Sequence, residues 1–217
     1  MTSSRERENI EWSIAYSFNA TDIENPRVLM IGDSICNAYE GTVREILKNE
    51  INVSFWASSK CVTDKDYFKE LDLILSAYSY DMITFNNTLH SLNSDRKEWE
   101  NAFQQAVAFI RHKYPNAVLF LVTGTPVNSP EQMEALLPMN RFIRAFAEQN
   151  ALPLIDLFAE TDKLPKENLW SDIYHFLPHV IKVQGAFMAE HIRSVNDRKN
   201  TIKSQKGTAL GPNGALE

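Results

Sequence analysis

The chain has 217 residues, of which 44% are hydrophobic and 23% charged, a globular balance that suits a single substantial core. The net charge of −6 does not favour a nucleic-acid partner, because phosphate binding needs clustered lysine and arginine. Cys36 and Cys61 are too few for a disulfide framework and lack metal-type spacing, and no apolar run approaches the ~20 residues that span a bilayer. Residues 1–9 are polar and unlike a signal peptide, so a soluble protein of the reducing cytoplasm is the expectation, with secretion as the alternative if a leader has been removed.

In chain order, residues 1–26 read as an N-terminal extension with a short amphipathic helix carrying Trp12, Ile14, Ala15 and Phe18. Val28-Leu29-Met30-Ile31, ended by Gly32, reads as a buried strand. Similar runs at 51–56, 82–85, 117–122 and 153–157 bring the count to five. Helical spacing falls between them. It covers 39–49 with Tyr39, Val43, Ile46 and Leu47, and 95–113 with Trp99, Phe103, Ala106, Val107 and Ile110. Residues 131–150 and 179–194 are further helices, with Pro130 and Pro178 suited to their first turns. Such alternation implies βαβ units, a mostly parallel sheet covered on both faces, and ligands at the C-terminal strand ends. The folded domain is placed at 27–195, and residues 196–217, with Gly207, Gly211, Pro212 and Gly214, read as a flexible tail.

Two short segments carry chemistry. Ile31-Gly32-Asp33-Ser34-Ile35 follows the first of these strands, and a serine at a strand-to-helix turn presents its hydroxyl beside free helical N–H groups. Those groups can hold the oxyanion formed when the hydroxyl attacks an ester; the plainer reading is that Ser34 only caps the helix. Ser171-Asp172-Ile173-Tyr174-His175 precedes the last helix, and such a D-x-x-H turn can supply a base together with its orienting carboxylate. The conjunction of the two segments carries more than either alone.

With these segments at the two ends of an α/β chain, residues 27 to 192 resemble the GDSL/SGNH hydrolase family. The resemblance implies a flavodoxin-like, three-layer α/β/α sandwich around a mostly parallel five-stranded sheet. It further implies a triad of Ser34, Asp172 and His175, and hydrolysis of a small-molecule ester through an acyl-enzyme without metal or cofactor. Two blocks depart from the family pattern. The second has Ala57-Ser58-Ser59-Lys60-Cys61-Val62 and no glycine, so Ser59, Lys60 or Cys61 would have to lend the oxyanion N–H. In the third, Thr88 stands at the usual glycine and His90 at the usual asparagine. A family subgroup with an Asn-Asn-Gly-Leu-His-like sequence makes His90 the first candidate donor and Asn87 the second, beside the N–H of Ser34. Cys36 reads as a buried core thiol, and Cys61 can modulate the site only if exposed. Trp170 and Tyr174 are candidate pocket walls. A small acyl group, such as acetyl on a sugar, is the expected substrate. The alternatives are a lysophospholipid or thioester acyl chain, or a non-catalytic binding domain with a degraded oxyanion hole.

Overall fold

The computed structural model describes residue 5 and residues 7–208, with side chains as far as residue 197. Six strands form one sheet in the order β1-β3-β2-β4-β5-β6. They are β1 (Ser13–Ser17), β2 (Arg27–Gly32), β3 (Asn52–Ser58), β4 (Met82–Phe85), β5 (Val118–Val122) and β6 (Leu154–Ile155). Strands β2 to β6 are parallel, while β1 pairs antiparallel with β3, Ser13 opposite Ser58 and Ser17 opposite Ser54. The parallel strands alone have the doubly wound order 2-1-3-4-5, in which the connection reverses beside β2 and opens a crevice at its C-terminal end.

Alternate residues of the central strands feed two separate cores, which is why β2 is apolar from Val28 to Ile31. Val28 and Met30 of β2 pack with α1 (Ser34–Ile46), α5 (Leu157–Asp162) and α6 (Pro178–Thr208) on one face. Leu29 and Ile31 pack with α2 (Tyr67–Leu75), α3 (Arg96–Lys113) and α4 (Pro130–Gln149) on the other. The three-layer α/β/α sandwich is therefore as expected. On the first face, α1 and α6 approach closely at Gly185, where a Cβ would lie 2.5 Å from Thr42 Cβ.

The sheet has six strands where five were expected, and the extra one is the segment expected to be helical. Trp12, Ile14, Tyr16 and Phe18 recur every second residue, the spacing of a strand, and they can lie along the open edge of β3. Tyr16 and Phe18 stack with each other and with Phe55, while the Trp56 indole N–H donates to Ser13 Oγ at 2.8 Å. Arg27 closes the far end of β1, donating to the carbonyls of Phe18 at 2.8 Å and Asn19 at 2.7 Å. Helices α2 and α5 are short and were not anticipated. The expected tail boundary at 196 is also displaced: α6 continues to Thr208, since neither proline nor glycine interrupts the chain between Gly185 and Gly207. The remaining residues of that expected tail, 209–217, lie outside the described residues.

Candidate active site

At the end of β2 the chain turns sharply into α1. A Cβ on Gly32 would sit 2.6 Å from Cys36 Cβ, so glycine permits the first helical turn to close against the strand end. Asp33 caps that helix, its Oδ1 accepting the Ile35 N–H at 3.0 Å. The cap is thus Asp33 and not Ser34. Ser34 is the first helical residue, partly exposed, and its hydroxyl is left available for other work. Cys36 behind it is fully buried, and burial pushes its thiol well above the ordinary range, so it offers no nucleophile.

The D-x-x-H segment forms a compact turn between α5 and α6. Trp170 and Phe176 pair as an antiparallel bridge, and the Ser171 N–H donates to the His175 carbonyl at 2.8 Å. Inside the turn, Asp172 Oδ1 accepts the N–H groups of Tyr174 and His175, both at 2.8 Å. Its Oδ2 accepts from His175 Nδ1 at 2.8 Å, and His175 Nε2 stands 2.8 Å from Ser34 Oγ. With Nδ1 carrying the hydrogen, the Nε2 lone pair faces the serine hydroxyl, as proton removal requires. The His175 backbone N–H is the largest influence holding Asp172 down at about 2, assisted by the imidazole and the Tyr174 N–H and opposed by partial desolvation. Ser34 and the Asp172–His175 pair, 141 positions from Ser34 to His175, are therefore joined in one hydrogen-bonded line.

The line opens into a cavity of about 410 Å³. Its apolar lining is Trp12, Leu89, Leu92 and Tyr174, and its polar lining includes Arg5, Glu8, His90, Asn93 and Gln132. Tyr174 thus takes the wall position expected of it, whereas Trp170 packs on Phe176 instead. Among the described residues, no three His, Cys, Asp or Glu side chains gather as a metal site would need, and no helix is long and apolar enough to cross a membrane.

No protein-family model matches the sequence, and neither does any curated protein. Solved structures do match. An acetylxylan esterase from Geobacillus stearothermophilus superposes with a TM-score of 0.65 at 16% identity, covering 77% of this chain and 94% of that one. A GDSL-like lipase from Bacteroides thetaiotaomicron gives 0.62 at 13%, covering 78% and 88%. The fold is that of the GDSL/SGNH hydrolases.

Within that SGNH framework the first and last blocks meet, and the second and third are occupied differently from expectation. The Ser59 N–H donates to the Trp12 carbonyl at 3.1 Å, prolonging the β1–β3 pairing. The Lys60 N–H goes to Ser58 Oγ at 3.2 Å, and its ammonium pairs with Asp66 and Glu70. The Cys61 N–H goes to Asp64 Oδ2 at 2.9 Å, and the thiol is buried. Asn87 donates its amide to the Lys60 carbonyl at 2.8 Å and accepts from the Val62 N–H at 3.0 Å and the Ser91 hydroxyl at 2.8 Å. The backbone N–H groups of Ser59 and Lys60 are thus spent on Trp12 and Ser58, while the Asn87 amide, with one of its two hydrogens on the Lys60 carbonyl, joins the second block to the third. His90 does line the cavity, with Nδ1 on Glu8. The Ser34 N–H, at the first position of α1, has no partner within its helix by position.

Asn87→Ala is accordingly expected to lower stability by about 1–3 kcal/mol, since the buried Lys60 carbonyl and Val62 N–H lose this partner together and Ser91 keeps only Cys61 Sγ. Urea denaturation measures this. A stable variant with a collapsed rate would restore Asn87 to the oxyanion site.

Proposed function

We propose that this chain belongs to the GDSL/SGNH hydrolases and is a serine carboxylic ester hydrolase acting through an acyl-enzyme on small acyl esters. The observation that carries the reading is the line from Asp172 Oδ2 through His175 to Ser34 Oγ, with 2.8 Å at both steps. His175 takes the hydroxyl proton as Ser34 attacks the carbonyl carbon, and Asp172 stabilises the imidazolium so formed. The Ser34 N–H at the start of α1 holds the developing oxyanion. His175 then returns the proton to the departing alcohol oxygen, and water, deprotonated by the same ring, releases the acid. The polar lining residues Arg5, Glu8, His90, Asn93 and Gln132 suit a short acyl group on a polar alcohol better than a long chain. That a structural neighbour is an acetylxylan esterase supports the same substrate class.

A second reading, a non-catalytic binding domain, is favoured by one observation: the N–H groups of residues 59 to 62 are all committed elsewhere. Diethyl p-nitrophenyl phosphate separates the two, because it phosphorylates an activated serine irreversibly. Mass addition on the peptide containing Ser34, together with hydrolysis of p-nitrophenyl acetate, is expected; neither would occur in a binding domain. Acetate should exceed octanoate in kcat/KM by about tenfold or more, and a rise with chain length would overturn the small-acyl assignment.

A further inference from the structure

The cavity contains a second carboxylate–imidazole pair, built by the N-terminal arm. Glu8 Oε1 lies 2.5 Å from His90 Nδ1, and the Trp12 ring meets the imidazole edge-on at 5.8 Å between centroids. Arg5, nearly fully buried, pins the arm in place: it donates to the His90 carbonyl at 2.7 Å and pairs with Asp64 at 3.0 Å. A carboxylate only accepts hydrogen bonds, so Glu8 fixes the hydrogen of the neutral ring on Nδ1. Nε2 then presents a lone pair. It is buried and, among the described residues, has no hydrogen-bond partner. Oε1 of Gln132, lining the same cavity, is likewise a buried oxygen without a partner.

Buried acceptors left empty are costly, and their chemistry specifies what fills them. Here the ligand must bring donors. A saturated acyl chain carries none, so the donors belong to the alcohol part of the ester. Building on the ester-hydrolase reading, we infer that Glu8 and His90 form a specificity subsite in which His90 Nε2 accepts a hydrogen bond from a free hydroxyl of the substrate alcohol. Esters of polyhydroxy alcohols are then preferred to esters of plain alkyl alcohols. In this arrangement His90 Nε2 acts as an acceptor and not as an oxyanion donor, and Glu8 acts as its positioning residue.

The test compares glycerol 1-acetate with propyl acetate, which share the acyl group and differ in hydroxyls. The wild-type chain should favour the glycerol ester in kcat/KM by about tenfold, as one net hydrogen bond supplies. In His90→Ala that ratio should fall to about one, and in Glu8→Gln to an intermediate value, because an amide no longer fixes the tautomer. Equal losses on both esters would overturn the subsite and return His90 to the oxyanion or to a structural role. A readout without turnover uses Ser34→Ala, titrated with glycerol 1-acetate while the ¹⁵N resonance of His90 Nε2 is followed. A shift toward the hydrogen-bonded position is expected, and an unmoved resonance overturns the subsite. If wild-type turnover proves independent of Ser34, the hydrolase reading fails, and the resonance still decides the subsite.

Discussion

Ser34→Ala is expected to lower kcat/KM for p-nitrophenyl acetate by about 10⁴- to 10⁶-fold while leaving the fold nearly as stable as before. Both halves follow from the turn after β2. The rate falls because the Oγ that would accept the acyl group, 2.8 Å from His175 Nε2, is gone, and no other nucleophile among the described residues bonds that nitrogen. Cys36, two residues on, is sealed in the core with its thiol protonated. Stability should change by about 0.5 kcal/mol or less, because Asp33 and not Ser34 caps α1. Had Ser34 been the cap, alanine would cost about 1 kcal/mol and leave hydrolysis untouched. Initial rates and a urea melt on the same variant therefore separate the two roles. Equal rates in variant and wild type would remove Ser34 from the chemistry.

The parallel strands were legible because strands buried on both faces read as mostly apolar runs; 28–31 is unbroken, and 82–85 is broken only by Thr84, a β-branched residue common in strands. The first strand was not. Its outer face is half exposed, and Ala15 between Ile14 and Tyr16 gives a short stretch helical spacing as readily as strand spacing. Only the open edge of β3 decides it, and that edge is a tertiary fact. The same cause hid half of the cavity. Once β1 pairs with β3, the preceding residues are carried over the C-terminal strand ends, bringing Arg5, Glu8 and Trp12 beside Ser34. Nothing in the local sequence of residues 5–12 marks a buried arginine or a carboxylate aimed at a histidine some eighty positions away. The hydrogen-bonded line from Asp172 through His175 to Ser34 was legible for the opposite reason: Gly32 to Ser34 and Asp172 to His175 each fix their own geometry within four residues. The partners of the second-block N–H groups were not, since a backbone N–H is free or spent according to its neighbours. Ser59 is spent on Trp12, which sequence placed in a helix.

Asp172→Asn should lower kcat by about 10² to 10⁴-fold with the turn intact. Asn can keep the Tyr174 and His175 N–H groups on its carbonyl oxygen, so the loop retains its shape. What remains facing His175 Nδ1 is then an NH₂ donor. The imidazole answers by moving its hydrogen to Nε2, where it can no longer accept from Ser34. The lower end of the range allows for the exposure of Asp172, about half open to water that can partly replace it. The pH dependence has a definite sign. Asp172 is held at about 2, below its ordinary 3.8, so it stays ionised through any working pH. Its contribution to stability is fully present above about 3.8 and is lost as the pH falls through about 2. The acid limb of kcat/KM above about pH 4 should therefore include no proton taken up by Asp172. A two-proton acid limb above pH 4 would mean that Asp172 titrates with the ring and does not orient it as a fixed anion.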